Sequence, residues 1–408
     1  MGLTRGQSLV ILSTTLDMFL EGVFVTLPSV SSLISSFPEW AVPLFLSTVP
    51  VGTLIGNLIL GRLTDLRGRK ATYLAMLAVY AVGAAMVLAS TNVTMVLIGL
   101  LVTQSAMGGE VPIVLSYIVE SAPLELKERL VVLVTNVGNL GAVVVSAVAL
   151  AEGGLSAYSG RLAIGVLIGL ALAIMAVTRS LVPESPQWLS LRPQDRGRVV
   201  LGAEGALWLA LLTLMAISSV LTFGLLALYI GPAEFRGEGL LLLLVYFSGE
   251  LVGGLVAAAL MNRLGSRAFT LISYSGGLIT SGLAIPAISG GLRPFLALLF
   301  ANGAFTETVW ASRNVLESLS FPTAYRGTAI SLVRVAPYVI LLASFFALSN
   351  VGVSTYLLFA SSMWALGVGA SWVWFIRGRE VVGLPTPIRP EDVLPERARQ
   401  GDRGGSSA

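Results

Sequence analysis

Apolar residues along this chain come in long blocks separated by short polar breaks. Runs of about 20 mostly apolar residues, the length needed to cross the hydrocarbon core of a bilayer, lie near 8–34, 41–60, 71–90, 93–119, 130–151 and 160–180. Six more lie near 205–230, 239–261, 268–289, 294–318, 327–349 and 352–376. The longest polar break runs from Pro183 to Glu204, and an arginine- and proline-rich tail follows Ile376. The pattern predicts an all-α membrane protein with twelve transmembrane helices. It divides into a six-helix bundle over 1–181, a linker over 182–204, a second six-helix bundle over 205–376 and a disordered tail over 377–408.

Sliding the chain against itself aligns its two halves at one ungapped offset of 197 residues. Gly52, Gly56, Asp65, Gly68, Lys70, Glu110, Glu120 and Arg129 fall on Gly249, Gly253, Asn262, Gly265, Arg267, Glu307, Glu317 and Arg326. Six spans separate each pair, so both halves keep the same direction across the bilayer and the bundles are pseudo-symmetric. Parallel repeats of this kind suit a transporter that binds solute between its halves and exposes it alternately to each side.

Composition agrees with a bilayer: 55% of residues are apolar and 12% charged, about half the charged share of a soluble domain. Basic residues orient it, because positively charged loops stay in the cytoplasm. With both termini inside, only Arg161, Arg236 and Arg293 face outward, and Arg313 and Arg334 lie within spans. The protein is expected as a multi-pass cell-membrane protein with cytoplasmic termini. The +3 net charge is scattered between spans, so nucleic acid is not an expected partner. No cysteine or histidine is present, which excludes disulfides and leaves carboxylates to handle protons. No phosphate-binding loop, zinc motif or nucleophile elbow appears, so neither an enzyme, a cofactor, a metal site nor ATP-driven pumping is expected.

The turn between the second and third spans reads Gly61-Arg-Leu-Thr-Asp65-Leu-Arg-Gly68-Arg69-Lys70, with a weaker echo at Asn262-Arg-Leu-Gly265-Ser-Arg267. It resembles the signature loop of the major facilitator superfamily, whose aspartate and arginine tie together the cytoplasmic ends of neighbouring helices. Gly108-Gly-Glu110-Val-Pro112, Tyr117 to Pro123, and Pro183-Glu184-Ser-Pro186-Gln-Trp188-Leu189 are similar to the sugar-porter-like branch, which includes metabolite:proton symporters and organic-ion transporters. Glu317 to Pro322 and Arg326-Gly327 resemble its second-half counterpart. The resemblance implies a cytoplasmic gate built from Gly61, Asp65, Gly68, Arg69, Lys70, Glu120, Arg129, Glu184, Arg313, Glu317 and Arg326. Glu120 is expected opposite Arg129, Arg313 opposite Glu317, and the pairs are expected to be partly screened by solvent. The polar positions typical of sugar porters are replaced by Leu100, Thr135 and Ser218-Ser219, which argues against a hexose. Asn136-Val-Gly138-Asn139-Leu-Gly141 lacks the proline of a drug-exporter motif, which favours uptake.

An ionisable group at bilayer depth is costly unless it faces a wet cavity or a partner, so such groups are functional candidates. By helix rise Asp17, Glu110, Glu250 and Glu307 lie near the midplane, and Glu21 lies one turn from Asp17 on the same face. Glu110 and Glu307, related by the repeat, are expected across the cavity from each other, with Asp17 as a third member. Trp310 lies one turn from Glu307 and can stack on a solute or pack in the helix interface. Arg334 requires a carboxylate partner or an anionic solute, and the carboxylate is the favoured reading. Pro112, Pro286 and Pro337 are candidate kinks. The expected activity is proton-coupled symport of a small polar organic solute by a monomer in the lipid bilayer. The alternatives are an organic cation exporter or facilitator, or a membrane sensor of the same fold.

Overall fold

The computed structural model describes residues 3–26, 42–90, 92–151, 157–347 and 351–393. The outer end of the first expected span, the last residues of the eleventh and the tail beyond Val393 lie outside these residues. The first half contains α1 (Arg5–Thr26), α2 (Val42–Arg67), α3 (Arg69–Ala89), α4 (Val93–Ser121), α5 (Lys127–Ala151) and α6 (Ala157–Leu181). The polar connection carries the one-turn α7 (Pro186–Leu189). The second half contains α8 (Ala203–Thr222), α9 (Gly231–Glu234), α10 (Gly239–Leu264), α11 (Ser266–Gly282), α12 (Ala284–Ser289), α13 (Leu292–Ser320), α14 (Arg326–Ala347) and α15 (Val353–Arg377).

Two expected spans are broken. The seventh stops at Phe223, where Gly224 takes φ +63°, and resumes as a π-helical turn over Leu226–Ile230 leading into α9. The ninth breaks between α11 and α12 at Leu283. Pro286 explains this break, since it has no N–H to bond the carbonyl four residues earlier. Pro112 and Pro337, by contrast, sit inside continuous helices. Among the described residues nine helices are long and apolar enough to cross a membrane. Of the rest, α11 has only 17 residues, and α13 carries Arg293, Glu307, Arg313 and Glu317.

Packing follows the repeat. Helix α2 lies on α4 and α3 on α4 and α6 in the first half, as α10 lies on α13 and α11 on α13 and α15 in the second. The halves meet through α2 with α14 and α5 with α10, two contacts that exchange under the 197-residue offset. Small residues permit the close approach: a Cβ on Gly61 of α2 would lie 1.8 Å from the Ser331 hydroxyl of α14 and 2.9 Å from the Gly327 carbonyl. The turns before α3 and α11 also match, Gly68 with φ +97° and Gly265 with φ +79°. Both values lie in the left-handed region where a side chain is strained.

The tail departs from expectation. Residues 378–393 are not disordered: Val381 and Pro387 are buried, and the segment bonds to both halves. Its prolines 385, 387 and 390 and its arginines 379 and 389 make it read as disordered, but prolines also reduce the entropy lost when an extended segment is ordered.

Candidate functional site

One end of the bundle, where the α2–α3 and α4–α5 turns meet the start of α14, is held shut by a buried charge network. The Asp65 carboxylate of the first half accepts the backbone N–H of Gly327 at 3.1 Å and of Thr328 at 2.7 Å, and the Thr328 hydroxyl at 2.8 Å. It therefore caps the positive N-terminal end of α14 in the second half. Arg69 bonds Asp65 at 3.1 Å, Glu120 at 2.5 Å and the Thr323 carbonyl of the second half at 2.9 Å. Arg326 reaches back across the seam to Glu120. Glu184 accepts from the N–H groups of Arg69 and Lys70 at the start of α3, and Lys70 donates to the Ser180 carbonyl. Trp188 of α7 donates to the Asp65 carbonyl at 2.8 Å, which fixes the short helix beneath the turn.

Three sequence expectations are corrected here. Asp65, Arg69, Glu120 and Arg326 have fully buried side chains, so solvent does not screen the latch. Glu120 pairs with Arg69 and Arg326 instead of Arg129, which is exposed at its helix start and forms no ion pair among the described residues. Arg313 and Glu317 pair at 2.8 Å as expected, but as a bond within the second half and not across the seam, and Glu317 also accepts from Arg334 at 2.9 Å. The repeat explains the last point: Glu120 has basic partners at both Arg69 and Arg326, whereas Ser266 occupies the position equivalent to Arg69.

Between the halves lies a cavity of about 160 Å³. Met18, Glu21 and Gly22 of α1, Met107 of α4 and Thr135 and Asn139 of α5 contribute from one side. Phe223, Phe247 of α10, Glu307, Trp310 and Asn314 of α13, and Arg334 and Tyr338 of α14 contribute from the other. Each half thus presents one carboxylate. Asn139 is within bonding reach of Glu307, and Glu21 is electrostatically coupled to both Glu307 and Arg334. Arg334 is held by Glu317 at 2.9 Å and by the Asn314 side chain at 2.8 Å, and it shares the Glu317 carboxylate with Arg313, so the two arginines face one carboxylate. The Trp310 ring lies 4.2 Å beneath the Arg313 guanidinium and edge-on to Phe223, while its indole N–H has no partner among the described residues. The ring has two guanidiniums over it, Arg313 at 4.2 Å and Arg334 at 5.8 Å from its centroid.

The other candidates sit elsewhere. Asp17 is buried against Arg179 of α6, whose guanidinium stacks 3.9 Å from the Tyr73 ring and donates to the Tyr73 carbonyl at 2.7 Å. Glu110 accepts from the Tyr80 hydroxyl, and that ring stacks on Phe24 at 5.2 Å. Neither lines the cavity. Glu250 lies in α10 next to Tyr246 and Glu307, fully buried, with neither oxygen bonded among the described residues. The expected facing pair of Glu110 and Glu307 is replaced by Glu21 and Glu307: Glu110 is bonded by Tyr80, and Gly277 stands at the position equivalent to Tyr80 in the second half.

Sequence reasoning missed Arg179, Asn139 and Glu380. Glu380 follows α15 and accepts the Ser266 N–H at 2.8 Å and the Ser266 hydroxyl at 2.5 Å at the start of α11. Its signal was available, since it falls within one residue of the repeat partner of Glu184. Partial burial pushes the Glu380 carboxyl up, but its bonds from Ser266, Val382 and Arg267 outweigh this and hold it below the ordinary 4.5.

A family model, the Major Facilitator Superfamily, matches residues 8–341. The chain belongs to this superfamily. Membership places it among transporters rather than enzymes, as a multi-pass membrane protein. Two curated relatives match 143 residues, 35% of this chain. They are the minor myo-inositol transporter IolF of Bacillus subtilis (31% identical) and the glucose transporter GlcP of Staphylococcus epidermidis (29% identical). The match spans about a third of each relative's length, 32% and 31%. The superfamily fold is shared across almost the whole chain with the proton:xylose symporter XylE bound to 6-bromo-6-deoxy-D-glucose. That structure has TM-score 0.75 and 19% identity, and the match covers 93% of this chain and 97% of that one.

Proposed function

We propose that this protein is a secondary transporter that takes up a small polar organic solute together with protons by alternating access, as a monomer in the cell membrane with its latched end cytoplasmic. The observation that carries this reading is the cavity between the two halves, which presents Glu21 from one and Glu307 from the other and lies beside a buried network joining the halves at one end. With no histidine in the chain, a carboxylate is the available proton carrier. Relatives named for myo-inositol and glucose, and a fold neighbour named as a proton:xylose symporter, support a sugar or cyclitol as the solute class. One observation favours a second reading, an organic cation: many cavity positions are apolar, among them Met18, Met107, Phe223 and Phe247, while two are carboxylates.

Proteoliposome uptake of labelled myo-inositol, glucose, xylose and tetramethylammonium, each with and without an imposed inward proton gradient, tests the proposal. Accumulation of a neutral polyol above its external concentration only under the gradient is the expected result. Accumulation of the cation alone moves the protein to the second reading. Saturable binding with no movement of any solute, the behaviour of a sensor, overturns both.

A further inference from the structure

The segment after α15 crosses the seam between the two halves at the latched end. It is joined to the second half covalently and by three further groups of bonds. Thr323 N–H donates to the Pro387 carbonyl at 3.0 Å, Ala324 N–H to the Ile388 carbonyl at 3.2 Å, and Arg326 to the Pro387 carbonyl at 3.0 Å. On the other side of the seam it meets the first turn of α5 in the first half. Gly383 N–H donates to the Glu128 carboxylate at 2.9 Å, and the Lys127 ammonium donates to the Leu384 carbonyl and, at 3.1 Å, to the Thr386 hydroxyl. Lys127 and Glu128 are both 1% exposed, although each is a charged residue at a helix end. The tail segment therefore accounts for the burial of two charged groups that otherwise face water.

We propose that this end of the seam is a groove for an extended, proline-containing peptide, that residues 383–388 are its occupant, and that the occupied groove holds the two halves together. The chemistry of both partners fits. Prolines 385 and 387 lack an N–H, so the segment faces the groove chiefly with carbonyls, and the groove supplies donors: the Lys127 ammonium, two backbone N–H groups and the Arg326 guanidinium. Arg326 and Thr323 also belong to the latch, through Glu120 and Arg69. The strap and the latch therefore share residues, and opening this end requires the segment to leave Lys127 and Glu128. When it leaves, those two charges regain water and the bonds that span the seam through the segment are lost, so the balance shifts toward the open state. The proposal rests on the halves separating here, as alternating access requires, and makes no assumption about the solute.

The chain has no cysteine, so Arg67→Cys with Arg263→Cys, at exposed ends of α2 and α10, gives one defined spin-label pair across the seam. In the full chain the distance distribution should be dominated by the short, closed population. Ending the chain after Val382, which keeps Glu380, should raise the long population at least threefold. A synthetic peptide of residues 383–393 added in trans should reverse this. If the shortened chain does not fold, Lys127→Met with Glu128→Gln in the full chain provides the same readout, and there the peptide should have no effect. An unchanged distribution in every folded variant, or a widened one in the shortened chain that the peptide does not reverse, overturns the proposal. Because distances and not fluxes are read, a failure of the transport reading leaves this outcome distinct.

Discussion

Glu184 and Glu380 do the same work in the two halves: each follows the last helix of its half, and each carboxylate accepts the N–H groups of the first two residues of a repeat-equivalent helix, α3 or α11. Glu184 bonds Arg69 and Lys70, and Glu380 bonds Ser266 and Arg267. A carboxylate on these free N–H groups satisfies donors that have no partner within the helix and matches the positive end of its dipole. In each half the segment after the last helix is in this way tied to an earlier one, α6 to α3 and α15 to α11. Rigid halves are what a rocking motion needs.

The Glu380 cap makes stability depend on acid. Its carboxyl is held below the ordinary 4.5 in the folded protein, so its contribution is complete above that value and is lost as pH falls through the lower folded one. Glu380→Gln should lower stability near neutral pH by about 1 kcal/mol, the scale of a lost helix cap. The difference between variant and parent should then shrink as pH is lowered from 6 to about 3. Thermal unfolding in detergent across that range measures it, and a difference independent of pH sinks the assignment.

The latch gives a conformational prediction. Asp65→Asn keeps one acceptor but removes the charge that caps α14 and faces Arg69, at a fully buried site. The closed state should lose about 1 to 3 kcal/mol relative to the open one, the range for hydrogen bonds to a charged group. At a factor of ten per 1.4 kcal/mol, that loss is a roughly 5- to 150-fold rise in the ratio of open to closed states, with the fold retained. The Arg67–Arg263 label pair reports it directly, and a distribution identical to the parent's shows that Asp65 only sets topology.

The twelve spans and the duplication were legible because the bilayer imposes a length on each helix and an internal repeat is self-checking. The latch residues Asp65, Arg69, Glu120 and Arg326 were legible as a motif, but their partners were not. Partner choice depends on which helices adjoin at the seam, and the sequence pairing of Glu120 with Arg129 used proximity along the chain where the fold uses proximity across it. Depth along a helix can be counted from sequence, whereas azimuth needs the packing. That is why Asp17 and Glu110 could be assigned a depth from the sequence but not their partners, Arg179 and Tyr80 within the first half. The ordered tail was hidden for a different reason: its contacts use backbone carbonyls, which carry no signature in side-chain composition.

The Arg313–Glu317–Arg334 group tests how buried charges share a partner. Either arginine removed alone leaves Glu317 with the other, so Arg313→Ala and Arg334→Ala should each cost about 2 kcal/mol, as for charge-assisted hydrogen bonds. Removing both leaves a buried carboxylate unpaired, and the double variant should lose more than the sum of the singles by about 1 to 3 kcal/mol. Unfolding midpoints of the four proteins form the cycle. Additive losses mean that the arginines do not share Glu317. A loss of solute binding in Arg334→Ala without a loss of stability assigns that side chain to the solute instead.

The final prediction separates the two carboxylates that the repeat makes equivalent in sequence. Glu307 lines the cavity beside Asn139 and Trp310, so under the proposed function its hydration should change when the halves rock and its proton should exchange with the solution on either side. Glu110 is enclosed by the first half and already bonded by Tyr80, so rocking leaves its surroundings unaltered. With one proton per solute, a gradient of about one pH unit supports a roughly tenfold accumulation, since one unit is worth about 1.4 kcal/mol. Glu307→Gln, which mimics the protonated form, should reduce that ratio to about one while solute exchange between equal pools continues, because binding and rocking survive without proton release. Glu110→Gln should retain most of the accumulation and lose about 1 kcal/mol of stability from the weakened bond to Tyr80. Counterflow and gradient-driven uptake in the same proteoliposomes distinguish the two steps. If Glu307→Gln still concentrates solute tenfold while Glu110→Gln does not, proton coupling runs through the enclosed carboxylate of the first half, and the cavity carboxylate is only a contact for the solute.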